Sequence, residues 1–231
     1  MQGMFSPILS LRPFFLRYDC RMSDQAAITE AFHRDGYVVI RGLVAADRVA
    51  QLRDHLATRA AAGTLRMSGD DLVPGTPSVY GDAQLDALMN DIKPLIEAHT
   101  GLSLFPTYSY ARIYKNGDAM EAHRDRPACQ VSISLNLGQE PDAPWALNIG
   151  EPGFAALLHP GDVLLYKGME QTHWRDAYEG TRLFQVFVHY VDANGPHAGE
   201  KFDGRASLGN AFKPEMTGLV TPLVVPNLFG R

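Results

Sequence analysis

The sequence predicts an α+β protein that is mainly β, with helices in its N-terminal part and strands in the remainder. Before residue 101, apolar residues recur at helical spacing in three stretches. After it come short strand-like runs separated by turn signals, and 231 residues with 45% hydrophobic content are enough for one domain. Helices first and several evenly spaced strands later indicate helices packed against a sandwich or barrel.

The three predicted helices cover residues 24–35, the segment between Asp47 and Gly63, and residues 83–99. Pro94 lies inside the third helix and should kink or divide it. The stretch between the second and third helices, residues 64–82, is rich in Gly, Pro, Ser and Asp. This composition predicts a long loop, and such loops often cover sites.

Strands are predicted after the first helix, at YVVIRGLV, and in six later runs: 103–114, 130–137, 145–149, 154–158, 162–166 and 182–191. QVSISLNL at 130–137 is the clearest, because a strand alternates its faces and here Gln130, Ser132, Ser134 and Asn136 share one face. The opposite face is apolar and packs on a core. The polar face either meets solvent or lines a wet cavity inside a barrel.

Residues 22–231 are predicted to form a single domain, with residues 1–21 a disordered tail or a mis-assigned start before Met22.

The net charge is −5 and there is no basic block, which argues against a nucleic-acid partner. No apolar stretch is long enough to cross a membrane. The two cysteines, Cys20 and Cys129, do not form a secreted disulfide framework, so we expect a cytoplasmic protein.

The stretch EAHRDRPACQ holds a histidine and a carboxylate two residues apart. If it is extended, His123 and Asp125 point to the same face, and His173 follows a strand fifty residues later. Two imidazoles and one carboxylate leave coordination positions open and suit non-haem Fe(II) working with O2. A surface ion-pairing cluster with Arg124 and Arg126 is the alternative for this stretch, and a zinc site is another for the three ligands.

Two further residues are candidates for holding an anionic co-substrate beside such a metal. Arg182 comes nine residues after His173, at the start of a strand, and an arginine binds carboxylates in bidentate fashion. Tyr114 comes nine residues before His123 and could donate its hydroxyl to the same carboxylate. Arg112 is on the same alternating face as Tyr114, so it too could reach the site.

Residues 108–191, with His-x-Asp, a distal His and then Arg, resemble the catalytic core of the Fe(II)/2-oxoglutarate-dependent dioxygenases. The N-terminal run ITEAFHRDGYVVIRGLVAADRVAQLRDHL resembles the opening of the phytanoyl-CoA dioxygenase-like branch, and the positions of Tyr114 and Arg182 resemble the prolyl hydroxylase branch. The resemblance implies a double-stranded β-helix, a jelly-roll, cupin-like barrel with supporting N-terminal helices and a catalytic core at about 103–192.

The resemblance also implies the roles of the site residues. His123, Asp125 and His173 would bind Fe(II), Arg182 and Tyr114 would hold the far carboxylate of 2-oxoglutarate, and O2 would be the oxidant. The resemblance further implies that Ser132 and Ser134 contact the co-substrate, on a strand face that lines the barrel.

The implied reaction is hydroxylation or desaturation of a C–H bond in a small molecule, such as an amino-acid derivative or specialised metabolite, with release of succinate and CO2. A prolyl-type hydroxylase acting on protein is the alternative within the same class. A metal- or ligand-binding cupin-like barrel without turnover is the alternative from another class. An AlkB-like demethylase is disfavoured, because the position of its second arginine is Val188 here.

Overall fold

The computed structural model describes residues 19–67 and 72–209, and these contain three α-helices packed against two β-sheets. The helices are α1 (Gln25–Asp35), α2 (Ala46–Ala61) and α3 (Ala83–Thr100). The strands are β1 (Asp19–Arg21), β2 (Tyr37–Arg41), β3 (Arg66–Met67), β4 (Pro77–Tyr80), β5 (Leu104–Lys115), β6 (Met120–His123), β7 (Val131–Glu140), β8 (Leu147–Ile149), β9 (Phe154–Ala156), β10 (Val163–Tyr166), β11 (His173–Arg175) and β12 (Arg182–Asp192).

The major sheet has eight strands in the order β1-β2-β10-β7-β12-β5-β4-β3, and the minor sheet has four in the order β6-β11-β8-β9. Apart from the parallel pair β1–β2, all pairings are antiparallel. Strands that are neighbours in a sheet are mostly distant in sequence, so the chain passes repeatedly from one sheet to the other. The prediction of a mainly β fold with N-terminal helices is confirmed.

Two apolar clusters lie on opposite faces of the major sheet. The larger one joins the three helices to the outer face of this sheet, where Ile133, Leu135 and Val186 are buried. The smaller one lies between the two sheets and includes Leu164 from the major sheet and Leu147 and Ile149 from the minor sheet. Because side chains alternate along a strand, each central strand of the major sheet sends every second residue into the space between the sheets.

The structure corrects three sequence-based boundaries. Asp19, Cys20 and Arg21, which were assigned to the tail, form β1 and pair with β2; residues 1–18 lie outside the described part. The predicted loop 64–82 contains β3 and β4, because Val79 and Tyr80 favour a strand and the first position of a strand tolerates Pro77. Helix α3 runs from Ala83 to Thr100 with Pro94 inside it, so Pro94 does not divide the helix.

In the described part of the chain, no helix is both long and apolar enough to cross a membrane.

The segment after β12 folds back onto β5 and α3. There the guanidinium of Arg205 forms an ion pair of 3.1 Å with Asp86, and both side chains are almost fully buried. Asp86 also accepts hydrogen bonds from Ser109 Oγ (2.6 Å) and from the backbone N–H of Gly209 (2.7 Å).

The Asp86→Ala substitution should therefore destabilise the protein severely. It removes the carboxylate that neutralises buried Arg205, and breaking one partner of a buried pair costs about 3–5 kcal/mol. The free energy of unfolding, measured by urea titration, should fall by this amount. Glu30→Ala, which removes an exposed pair with Arg34, is the control and should change it little. Equal effects of the two substitutions would contradict the structural role of Asp86.

Candidate metal centre

The antiparallel pairing of β6 with β11 brings the two predicted histidine ligands together. His123 ends β6, His173 begins β11, and the two residues are direct cross-strand partners. Their ring centroids are 4.2 Å apart, and both side chains are buried. Residues fifty positions apart in sequence therefore become neighbours at the edge of the space between the sheets.

Each histidine is oriented by the backbone two residues before it. His123 Nδ1 lies 2.9 Å from the carbonyl oxygen of Glu121, and His173 Nδ1 lies 3.0 Å from that of Gln171. Since a carbonyl oxygen only accepts, each Nδ1 carries the proton and each Nε2 keeps a free lone pair. Metal-binding histidines are commonly fixed in this way by the nitrogen that does not bind the metal.

Asp125 completes the group. Its Oδ1 atom lies 3.7 Å from His123 Nε2 and 3.6 Å from His173 Nε2. Burial, and then the neighbouring His173, lower the pKa of His123 to about 4, so the imidazole is neutral at physiological pH and can bind a cation. Three ligand atoms converge here within 4.8 Å of one another, as the His-x-Asp and distal His pattern predicted.

A cavity of about 190 Å³ opens beside these three residues. Its walls are largely aromatic and apolar, with Tyr108, Tyr110 and Phe187 on the major sheet facing Met120 and Leu147. The pairs Tyr80–Tyr108 and Tyr110–Phe187 are stacked, with ring centroids 5.0 and 6.2 Å apart. Arg112, Arg124, Arg126 and His189 also line the cavity. The ligand atoms thus face a sheltered space rather than bulk solvent.

Arg182 lies outside this cavity, contrary to its expected position. Its side chain is 51% exposed and pairs with the Glu140 carboxylate at 2.8 Å. The reason is strand parity: in β12, Phe184 and Val186 share the face of Arg182 and pack under the helices. Leu183, Gln185, Phe187 and His189 occupy the opposite face, between the sheets.

Arg175, which was not predicted from the sequence, is a second buried arginine that points inward, besides Arg112. It lies two residues after His173 on β11 and is therefore on the same face of that strand. Its guanidinium lies 4.4 Å from the Trp145 ring centroid and donates to Trp145 O (2.9 Å) and Gln185 Oε1 (3.3 Å). Although Arg175 is only 3% exposed, no carboxylate of the described residues pairs with it, and its Nε has no acceptor.

Tyr114 lies beside Arg175, as an inward-facing residue of β5. Its ring centroid is 5.6 Å from the guanidinium carbon, and its buried hydroxyl has no hydrogen-bond partner among residues 19–67 and 72–209. Arg112 is on the same face, 5.5 Å from the Tyr114 ring. An orphaned hydroxyl and an orphaned guanidinium N–H thus occur together, and buried donors of this kind are normally satisfied.

Both predicted serines of β7 also face inward, which favours the wet-cavity alternative for this strand. Ser134 Oγ accepts from Gln185 Nε2 at 2.8 Å, and Gln185 in turn binds Arg175. Ser132 lies at the opposite end of the group, where its Oγ is 3.2 Å from Asp125 Oδ2. The two serines therefore connect to two different parts of the site: Ser134 to Arg175 through Gln185, and Ser132 to the Asp125 carboxylate.

No protein-family model and no curated protein sequence matches this chain, but solved structures do. The epimerase SnoN, in complex with Fe3+, alpha ketoglutarate and nogalamycin RO, matches with a TM-score of 0.64 at 15% identity, over 83% of this chain and 96% of SnoN. A Pseudomonas putida prolyl-4-hydroxylase matches with a TM-score of 0.59 at 19% identity, over 73% and 98%.

A Trichoplax adhaerens prolyl hydroxylase, in complex with a hypoxia inducible factor peptide fragment, matches with a TM-score of 0.62 at 12% identity, over 78% of this chain and 92% of the hydroxylase. At these identities the likeness concerns the fold. The chain therefore has the fold of the 2-oxoglutarate- and Fe(II)-dependent oxygenases, as the sequence resemblance implied.

Proposed function

We propose that this protein is an Fe(II)- and 2-oxoglutarate-dependent oxygenase built on a double-stranded β-helix. The observation that carries the proposal is the convergence of His123, Asp125 and His173 at the edge of a sheltered cavity. Two neutral imidazoles and one carboxylate on one side of a cation are the ligand set typical of non-haem Fe(II) oxygenases. With O2, the bound iron and 2-oxoglutarate would supply oxidation of a C–H bond, coupled to formation of succinate and CO2.

The remaining residues suit this chemistry. The aromatic and apolar walls keep bulk water away from the reacting atoms, while the backbone bonds to both histidines hold their Nε2 atoms toward the metal. The protein's contribution is therefore to position the cation and one C–H bond of the substrate in a dry space. A cavity of about 190 Å³ favours a small molecule as the substrate.

The far carboxylate of 2-oxoglutarate would be held by Arg175 and Tyr114. A buried guanidinium without a carboxylate partner is energetically costly, and an anionic ligand that receives the free Nε–H and the Tyr114 hydroxyl would relieve this cost. Arg182 does not take this role, because it lies on the outer surface, where the Glu140 carboxylate neutralises its charge. Ser134, through Gln185, supports the same end of the co-substrate site.

The alternative substrate is a peptide, since one structural neighbour was solved with a peptide fragment. The small volume of the cavity argues against deep insertion of a peptide segment, although a single side chain would fit. A metal-binding barrel without turnover and a zinc hydrolase predict no 2-oxoglutarate consumption, so measurement of succinate release in the presence of O2 separates both from the oxygenase.

Anaerobic titration of the apo-protein with Fe(II) and then 2-oxoglutarate should produce a weak visible charge-transfer band. The band reports chelation of the co-substrate to iron held by the three ligands. His173→Ala removes one ligand and should abolish the band, while circular dichroism verifies that the variant is folded. If folded wild-type protein binds Fe(II) and gives no band, the oxygenase assignment is wrong.

A second experiment separates Arg175 from Arg182. In the wild-type protein, a monocarboxylic 2-oxo acid such as 2-oxobutyrate should bind the Fe(II) form far more weakly than 2-oxoglutarate, because it lacks the far carboxylate. Arg175→Gln should abolish most of this preference, at a cost of about 10- to 100-fold in 2-oxoglutarate affinity, as expected for one charge-assisted bond.

Arg182→Ala is the matched control, since it also removes one guanidinium from the chain, and it should leave both dissociation constants unchanged. The comparison of 2-oxobutyrate with 2-oxoglutarate in the wild-type protein does not depend on the folding of any variant. If the wild-type protein shows no preference for the dicarboxylate, the proposal that Arg175 binds the far carboxylate is wrong. If Arg182→Ala loses the preference, Arg182 binds that carboxylate instead.

A further inference from the structure

We infer that Ser132 and His189 form a hydrogen-bonded relay that fixes the rotation of the Asp125 carboxylate, so that it offers one oxygen to the metal. The inference rests on the proposed function and concerns positioning residues that do not themselves bind iron. It is carried by three observations: the contacts of Ser132, the hydrogen-bonding state of His189, and the absence of a side chain at Gly168.

Ser132 Oγ lies within hydrogen-bond distance of three groups: Asp125 Oδ2 (3.2 Å), the carbonyl oxygen of Cys129 (3.0 Å) and His189 Nδ1 (2.9 Å). A hydroxyl has a single proton to donate. An ionised carboxylate attracts that proton more strongly than a neutral carbonyl does. The proton is therefore directed to Asp125. Ser132 Oγ can then accept from His189 Nδ1, and the Tyr166 hydroxyl is a further hydrogen-bonding neighbour of Ser132.

His189 has to carry a proton on Nδ1 to donate to Ser132, which lies 2.9 Å away. In this tautomer of the neutral ring, Nε2 carries no proton and can accept a hydrogen bond, on a ring that lines the cavity. The ring is held on its other side by Tyr108, whose centroid lies 4.5 Å away.

Gly168 forms the wall behind the carboxylate. A Cβ atom added there would clash with Asp125 Oδ2 and the carbonyl oxygen of Cys129 and lie 2.7 Å from Ser132 Oγ. The Gly168 carbonyl also accepts a 2.9 Å hydrogen bond from the backbone N–H of Asp125. Oδ2 is thus enclosed between Ser132 and the Gly168 backbone, while Oδ1 faces the two histidines.

The consequence is a carboxylate that binds the cation through one oxygen. If Asp125 rotated and used both oxygens, it would occupy an additional coordination position. Three protein ligands, each contributing one atom, leave three positions of an octahedron open, enough for a chelating co-substrate and O2. The relay therefore preserves the open positions on which the proposed reaction depends.

The same geometry accounts for the second group of possible metal ligands, Asp125, Cys129 and His189. The Ser132 hydroxyl bridges Asp125 and His189, and Cys129 Sγ lies 3.1 Å from the Tyr108 hydroxyl. Burial raises the pKa of the Cys129 thiol, which disfavours the thiolate a metal would require. We therefore interpret this group as the support of one metal site rather than a second site.

The test measures Fe(II) affinity anaerobically, by competition with a chromophoric chelator, together with the Fe(II)–2-oxoglutarate band. Ser132→Ala and His189→Ala should each weaken Fe(II) binding by about 10- to 100-fold, as for other groups that orient metal ligands. His189→Asn should restore most of the affinity, because its amide N–H can replace Nδ1–H toward Ser132. Thr107→Val, which removes a buried hydroxyl bonded to Ala128 O, is the control and should leave affinity unchanged.

Side-chain ¹⁵N NMR of the Zn(II)-loaded, diamagnetic protein provides a measurement that does not depend on iron or on a variant folding. It should show His189 protonated on Nδ1 and unprotonated on Nε2. The opposite tautomer would contradict the relay. A folded Ser132→Ala variant that binds Fe(II) as tightly as the wild-type protein would also contradict it. A wild-type protein that binds Fe(II) with the expected relay effects but gives no co-substrate band would instead contradict the proposed oxygenase function.

Discussion

The candidate site depends above all on the antiparallel pairing of β6 with β11. This pairing places His123 opposite His173 and leaves Asp125 just beyond the end of β6. Both strands are short, and they are held by the rest of the molecule: β8 pairs with the other edge of β11, and the apolar cluster between the sheets packs beneath them. The metal ligands are therefore positioned by tertiary structure rather than by a rigid local motif.

The second constraint is the alternation of faces along the major sheet. The residues that face the helices are apolar, whereas those between the sheets include the tyrosines and Arg112 of β5, the serines of β7 and Gln185 of β12. One strand thus contributes simultaneously to the core and to the site. Any change of register by one residue would exchange the two sets, so burial of the apolar face also fixes the polar one.

The sequence predicts the proximity of His123, Asp125 and His173 and the polar strand faces, because His-x-Asp spacing and period-two alternation are local signals. It fails where the outcome depends on which face of a strand turns inward. Arg182 was expected to face the site, but the helices cover its face of β12. The apolar residues Phe184 and Val186, on the face of Arg182, were a signal for this choice.

Other residues of the site lacked a usable local signal, except for Arg175. Its position two residues after His173 places it on the same face of an extended chain, so parity alone could have identified it. The role of Gly168 arises from contact with Asp125 and Ser132, which lie in other segments. Contacts of this kind follow from the folded arrangement of strands and cannot be inferred from spacing along the chain.

Three buried or partly buried arginines illustrate how the fold distinguishes paired charges from an unpaired one. Arg126 is held by both oxygens of Asp203 at 2.7 Å, and Arg205 is held by Asp86. Arg175 is as deeply buried as Arg205, but among the described residues its acceptors are neutral: the carbonyls of Trp145 and Ala146 and the Gln185 amide.

Neutral acceptors orient a guanidinium without cancelling its charge, whereas a carboxylate does both. The pKa of Arg175 is lowered by burial, which shows that its charged form is poorly solvated. An incoming dicarboxylate would supply the missing counter-charge, and part of its binding free energy would come from relieving this penalty. No carboxylate of the described residues pairs with Arg175, so in the proposed complex the co-substrate would be its counter-ion.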